Sequence, residues 1–215
     1  LLRGRNIFMI ELAGEIPFLW RLSPETSDGY CSVSVVVTGP AEAEVKDVTI
    51  ETSVLSLSSD TTRSTNEETL EWNQEDISLF LRLVNSNNKP LADTVKIDLR
   101  DPEIIEIIHV VAAAGFGVAF TSYGLLKTAD ATLPIQKCEI GLLASLNTHC
   151  GFKSCVIVDV EDDDVVCVLL DNIEVTLDGD ADRVYRHDLL LVKRVDLVRP
   201  EFAENRKKPT TAILH

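Results

Sequence analysis

Short runs of β-branched residues, each ended by turn-forming residues, recur along this chain and favour a fold built mainly of short strands. Cys31 to Val37 alternates between two faces and ends at Thr38-Gly39-Pro40. Thr94 to Leu99 alternates strictly, so its odd-numbered side chains share one face. The sequence therefore predicts a mainly β protein with helices, in the α+β class.

The same pattern predicts a set of further strands in two groups. A β-branched run over 45–57 comes first. After Pro90, the first group covers 94–99, 104–111, 116–121 and 125–129, and the second covers 136–142, 153–160, 165–171 and 173–177. Short strands at even spacing between 94 and 129 argue for a small, strongly bent barrel. The nearly uncharged stretch 107–127 is interpreted as buried strands of this barrel rather than as a membrane span.

Two helices are predicted between the strands. The first follows a polar loop over 58–66, and its apolar face consists of Leu70, Ile77, Phe80, Leu81 and Val84. Either Thr65 with Glu68 or Asn73 with Asp76 caps its start. The second is predicted over 183–192, with Asp182 as its N-cap.

The charge balance bears on the class of partner. The chain has 20 Lys and Arg against 35 Asp and Glu, so its formal charge is −15. Because nucleic-acid binding proteins neutralise phosphates with Lys and Arg, direct nucleic-acid binding is not expected. A basic protein partner would be attracted instead. The acidic run Glu161-Asp162-Asp163-Asp164 lies between two predicted strands and is interpreted as a solvated hairpin turn.

Patterns typical of metal sites and of catalysis are missing from the sequence. The five cysteines contain no C-x-x-C pair, and reduced thiols are favoured over a zinc site. No G-x-S-x-G, H-E-x-x-H or P-loop pattern occurs. We therefore predict no metal, no cofactor and no catalytic residue, and the chain is not expected to be an enzyme.

Several segments resemble motifs of the extended Tudor domains. Residues 118–127 resemble the family's V-x-F-x-D-Y-G-N-x-E corner, and residues 133–140 are similar to its L-P-x-Q-A-x-x-C-x-L run. Val33 to Pro40 is similar to the opening strand, and Val95 to Val110 matches the pattern of the first two Tudor strands. The resemblance covers roughly Tyr30 to Val195. It implies a Tudor-like SH3-type barrel inserted in an OB-like, staphylococcal-nuclease-like (SN-like) fold, joined by a long helix.

On this resemblance the chain divides into three parts. Residues 1–29 form an N-terminal extension without assignment, residues 30–195 form the module, and residues 196–215 form a basic tail. Within the module the barrel covers about 91–132, and the SN-like parts cover about 30–90 and 133–195.

Family members that recognise symmetrically dimethylated arginine surround it with several aromatic side chains. At the corresponding positions this chain has Ile104 and Ile105, while Ser122 and Leu125 replace Asp and Asn beside Tyr123. One aromatic cannot surround a guanidinium, so we expect binding that is independent of arginine methylation. The positions expected to contact a peptide are Ile104, Ile105, Phe120, Ser122, Tyr123 and Leu125. Packing within the barrel explains the same residues equally well.

The resemblance implies a non-catalytic protein–protein interaction module of a small-RNA, piRNA-type silencing scaffold. The expected partner is a linear peptide, basic and unmethylated, and no membrane association is expected. The implied location is the cytoplasm, including perinuclear germ granules. Two alternatives remain open, a single-stranded RNA-binding OB-like module and a degenerate nuclease-like domain. The first requires stacking aromatics in a basic groove, and the second requires converging carboxylates with arginines.

Overall fold

The structure is a computed structural model, and it describes residues 9–12, 18–38, 47–57, 65–86, 95–121, 124–127, 135–177 and 180–204. The chain divides into two compact units, unit 1 over Leu1–Val118 and unit 2 over Ala119–His215. Strands dominate the described residues and helices are few, so the predicted mainly β, α+β class is confirmed.

Unit 1 contains a two-stranded ribbon and a larger sheet. Its strands are β1 (Met9–Leu12), β2 (Phe18–Leu22), β3 (Tyr30–Val37), β4 (Val48–Leu57), β5 (Glu68–Glu71) and β6 (Val95–Asp98). Strand β1 pairs with β6, and the other four form an antiparallel sheet in the order β4-β3-β2-β5. The strands predicted near 31–37, 45–57 and 94–99 are therefore present.

The first predicted helix is confirmed as α1 (Gln74–Ser86). The side chain of Asn73 accepts the backbone N–H groups of Glu75 and Asp76, each at 2.8 Å. In return, Oδ2 of Asp76 accepts the N–H of Asn73 at 3.0 Å, which completes one of the two predicted capping boxes. Leu70, assigned to the helix face, lies instead on β5.

The predicted strand over 104–111 is wrong, because these residues belong to helix α2 (Pro102–Phe116). The Asp101 side chain accepts the N–H of Glu103 at 3.0 Å, and Pro102 occupies the first turn, so the start has ordinary helix signals. Branched residues favour strands by propensity, but burial of most of the helix circumference overrides that preference. The buried residues are Ile104, Ile107, Ile108, Val110, Val111, Ala112 and Ala113.

Unit 2 contains a six-stranded sheet and a two-stranded ribbon. The strands are β7 (Ala119–Thr121), β8 (Leu143–Thr148), β9 (Gly151–Glu161), β10 (Asp164–Leu169), β11 (Ile173–Leu177), β12 (Asp180–Val184), β13 (Leu189–Lys193) and β14 (Leu197–Val198). The sheet has the order β14-β8-β9-β10-β13-β7, and β11 pairs with β12. A 3₁₀ turn over Arg194–Asp196 precedes β14, and a short helix, α3 (Glu201–Glu204), follows it.

Most of the second predicted strand group is present, with two corrections. Strands β9, β10 and β11 correspond to the predictions over 153–160, 165–171 and 173–177. The described residues over 136–142 form no strand. The predicted helix over 183–192 is also wrong, because Leu189–Lys193 is β13, which pairs antiparallel with β10 and buries three of its leucine and valine side chains.

The predicted acidic hairpin turn is confirmed between β9 and β10. Asp162 and Asp163 are exposed at the turn, and Asp162 has a φ of 54°. Aspartate tolerates the left-handed region better than most residues, which suits it to a tight hairpin. Within the described ranges, no helix is both long enough and apolar enough to cross a membrane.

Candidate functional site

Two of the six predicted peptide-contact positions lie in unit 1. Ile104 is 8% exposed and packs in the core, while Ile105 is half-buried on the same helix. Ser122 and Tyr123 lie outside the described residues. For these four positions, contact with a peptide stays a prediction.

The other two predicted positions lie in unit 2. Strand β7 joins the edge of the sheet parallel to β13, with Phe120 beside Leu190. The side chain of Phe120 is 52% exposed, whereas Leu125 is only 6% exposed and belongs to the core. Among the four described positions, Phe120 presents the exposed side chain.

Two residues that follow β7 in the chain, Leu126 and Lys127, pair with the end of β8. Lys127 donates its backbone N–H to the carbonyl of Asn147 at 2.9 Å, and Leu126 forms a bridge with Thr148 at the end of β8. One stretch of chain therefore pairs with β13 through β7 and with β8 near Leu126. This double attachment fixes Phe120 at the sheet edge.

A turn over Tyr185–Asp188 leads into β13, beside the start of β7. Oδ2 of Asp188 accepts the N–H of Tyr185 at 2.7 Å, and the Asp188 N–H donates to the Tyr185 carbonyl at 3.0 Å. Burial raises the pKa of Asp188, while the hydrogen bond from Tyr185 and the neighbouring His187 act in the opposite direction. The turn is closed by its own first and last residues.

Neighbouring loops hold the middle of the same turn. His187 has a φ of 73° and donates its N–H to the carbonyl of Leu169 at 2.8 Å. The N–H of Arg186 donates to Oδ1 of Asn172 at 2.7 Å. A residue other than glycine keeps a left-handed conformation where its surroundings impose it. Here the turn is held by hydrogen bonds to the end of β10, at Leu169, and to Asn172 in the loop that follows.

The loop between β8 and β9 is tied to this end of unit 2 as well. The thiol of Cys150 donates to the carbonyl of Glu174 in β11. The N–H of Ser154 donates to Oδ2 of Asp171 at 3.0 Å. The loops at this end therefore form one hydrogen-bonded framework that presents their exposed side chains at fixed positions.

Sequence reasoning missed Tyr185, whose side chain is 55% exposed on the turn. The sequence does contain a signal against the helix predicted over 183–192. The run Leu189–Val192 has four apolar residues between Asp188 and Lys193, and such a run is as typical of a buried strand as of a helix. Phe152 and Phe202, by contrast, stack on each other with centroids 5.0 Å apart.

The His, Cys, Asp and Glu side chains of the described residues show where a metal ion or a reactive thiol could be held. Within the part of the chain that the structure describes, no three His, Cys, Asp or Glu residues are placed to hold a metal ion. The pKa of Cys167 lies well above its ordinary value because of a hydrogen bond with Cys155 and because of burial. A thiol with a raised pKa contains little of the nucleophilic thiolate.

One serine and one histidine also come together, in unit 1. Nδ1 of His109 lies 3.2 Å from Oγ of Ser53, and the backbone N–H of Ser53 donates to the same nitrogen at 3.2 Å. A nitrogen that accepts a backbone N–H has its lone pair engaged and is a poor general base. This contact fixes α2 to β4.

We refer to β7 together with the turn Tyr185–Asp188 as the β7 rim. The β7 rim combines a strand at the sheet edge, two exposed aromatic side chains and a hydrogen-bonded turn. No family model matches the chain, and no curated protein matches it.

Proposed function

We propose that the chain is a non-catalytic interaction module that binds an extended segment of a partner protein at the β7 rim. One observation supports this most directly. Phe120 is a position expected to contact a peptide, and it is exposed on an edge strand beside the hydrogen-bonded turn that contains Tyr185. An edge strand offers backbone groups to an incoming strand, and exposed aromatics give that strand side-chain contacts.

The hydrogen bonds that hold the turn of the β7 rim support this function. A turn that is already ordered loses little conformational entropy when a partner binds, which leaves more of the contact energy for affinity. Tyrosine is also among the residues that contribute most to protein–protein binding when a partner covers it. Tyr185 and Phe120 are therefore the side chains to which we assign the largest contributions.

The expected ligand is basic and unmethylated. In the described residues of unit 2, Phe120 and Tyr185 are the exposed aromatics, while Phe152 and Phe202 are engaged with each other. A cage for methylated arginine needs several aromatic faces around the cation. The formal charge of −15 favours encounter with a basic segment and makes binding weaker at high salt.

We retain the resemblance to extended Tudor domains, but we assign the barrel to a later part of the chain. Strands β8, β9, β10 and β13 are antiparallel neighbours in the sheet, with the β11–β12 ribbon between β10 and β13 in the chain. A 3₁₀ turn follows β13, and β14 returns to pair with β8. This order supports an SH3-type barrel over 143–198, in place of the region around 91–132 that contains α2. We also propose that the chain belongs to a cytoplasmic small-RNA silencing scaffold, and this rests on the resemblance alone.

The test is a peptide array that pairs each arginine-bearing peptide with its symmetrically dimethylated form. We expect unmethylated peptides to bind at least as well, and Phe120→Ala or Tyr185→Ala to weaken binding about tenfold. Val195→Ala, at a side chain that is 70% exposed on the 3₁₀ turn, is the matched control. Preference for the dimethylated peptides, or unchanged binding in both rim variants, would refute the proposal.

A further inference from the structure

Asp188, the last residue of the turn in the β7 rim, has one carboxylate oxygen that the fold leaves unused. Its Oδ2 accepts the N–H of Tyr185 at 2.7 Å. Among the contacts of the described residues, Oδ1 accepts no hydrogen bond, and it is not fully enclosed. The side chain is half-buried, and the next residue, Leu189, pairs with Ala119 of β7. The turn therefore holds one oxygen of Asp188 and leaves the other for a ligand.

The charge of Asp188 also has no ion-pair partner within the part of the chain that the structure describes. Asp164, by contrast, lies 2.6 Å from Nζ of Lys193. Burial raises the pKa of Asp188 by more than the neighbouring His187 lowers it. A carboxylate that is partly withdrawn from water gains more from a cation than a fully exposed one does, because the surroundings screen the attraction less.

Aromatic surface lies on the two elements that meet beside this carboxylate. Tyr185 belongs to the same turn and is 55% exposed, and Phe120 on β7 is 52% exposed. Among the residues of β7 and of the turn, Asp188 is the acidic one. Lysine and arginine carry their charge at the end of an apolar stem, so a carboxylate beside aromatic side chains suits both parts of such a residue.

We infer that Asp188 binds the cationic side chain of the partner segment through Oδ1, and that the β7 rim accepts lysine as well as arginine. This inference rests on the function proposed above. Because Oδ2 is engaged by the turn, the paired contact with two oxygens that favours arginine is not available. One oxygen forms a single charge-assisted hydrogen bond with an ammonium or a guanidinium group alike. The rim recognises the charge of the side chain rather than its planar shape.

The probe is a fluorescent octapeptide of alternating threonine and valine in which one central residue is lysine, arginine or norleucine. It is titrated against the full chain by anisotropy at neutral pH. We expect the lysine and arginine peptides to bind within about threefold of each other, and about tenfold more tightly than the norleucine peptide, which keeps the stem but lacks the charge. On the parent protein alone, an arginine peptide that binds about tenfold more tightly than the lysine peptide overturns the inference. So does a norleucine peptide that binds as well as the lysine peptide.

Asp188→Asn assigns the effect to this carboxylate, since asparagine keeps an oxygen for the Tyr185 N–H and loses the charge. The variant should abolish the advantage of the lysine peptide over the norleucine peptide, a coupling of about tenfold. Arg186 in the same turn adds repulsion once the carboxylate is gone. Asp162→Asn is the matched control, because it removes the same charge from the exposed hairpin turn at the other end of β10 and should keep the advantage.

The aromatic variants separate this inference from the proposed function. Phe120→Ala and Tyr185→Ala should weaken the binding of all three peptides, because they remove contacts that every peptide of the series uses. If they do so while Asp188→Asn keeps the advantage of the lysine peptide, the inference is overturned and the proposed function stands. If both leave the binding of all three peptides unchanged, the proposed function itself fails.

Discussion

The indole Nε1–H of Trp20 donates to Oδ2 of the buried Asp76 at 2.9 Å, across 56 residues of sequence. This bond joins β2 to the start of α1, and the same oxygen accepts the N–H of Asn73. Trp20 also stacks on Trp72, with ring centroids 4.8 Å apart. Asp76 therefore caps a helix and satisfies a buried indole at once, so that local and long-range order depend on one carboxylate.

Replacing Asp76 by alanine should destabilise unit 1 by about 2–4 kcal/mol, because it removes a helix cap and leaves a buried indole N–H unsatisfied. Asp101→Ala is the matched control, since Asp101 caps α2 by accepting the N–H of Glu103 but bonds no indole in the described contacts. Its expected cost is about 1 kcal/mol. Urea unfolding followed by tryptophan fluorescence measures both, and equal losses would show that the Trp20 bond contributes nothing.

Gly115→Ala should lower the melting temperature, although alanine is the better helix former by about 1 kcal/mol. A Cβ at this position would lie 3.3 Å from Oδ1 of Asp76. The other oxygen of that carboxylate is held by Trp20 and Asn73, so the group cannot move aside without losing hydrogen bonds. A melting curve by circular dichroism decides the matter, and a higher melting temperature would contradict the predicted crowding.

Asp188→Asn should reduce the pH dependence of stability in unit 2. Burial raises the folded-state pKa of Asp188, so the folded chain holds this proton more tightly than the unfolded chain. The resulting stabilisation is fully present below the unfolded pKa, near pH 4, and is lost as the pH rises through the folded pKa. Asparagine can still accept the Tyr185 N–H, and it carries no charge.

At neutral pH the Asp188→Asn protein should therefore be at least as stable as the parent. Above about pH 4, the unfolded-state value, its melting temperature should fall less steeply with rising pH. Melting curves at several pH values provide the comparison. Parallel curves for the two proteins, or a large loss of stability at pH 7, would mean that the charged form of Asp188 is needed by the turn.

Phe202→Ala should release α3 from unit 2. Phe202 stacks on Phe152, and the hydroxyl of Ser145 donates to the carbonyl of Pro200 at 3.1 Å. Both aromatic rings are half-buried, so we expect a loss below the about 3–5 kcal/mol typical of a core phenylalanine. Hydrogen exchange should rise in β8 and β9, and unchanged exchange there would contradict the contact.

The sequence by itself determined the elements whose signals are local. Strand β11 coincides with the predicted 173–177 because an alternating run is bounded by turn residues, and α1 has an Asn73–Asp76 capping box ahead of an apolar face. The acidic hairpin turn was predictable for the same reason, since four consecutive charges cannot be buried between two apolar strands.

Only the tertiary structure decided the state of the apolar runs that lack such boundaries. Residues 104–111 are rich in branched side chains, yet they form α2 because burial on most sides of the helix outweighs intrinsic propensity. Leu189–Val192 fits a helix or a buried strand, and pairing with β10 selects the strand. The exposure of Phe120 and Tyr185 follows from these long-range pairings, so the β7 rim could not be read from local sequence alone.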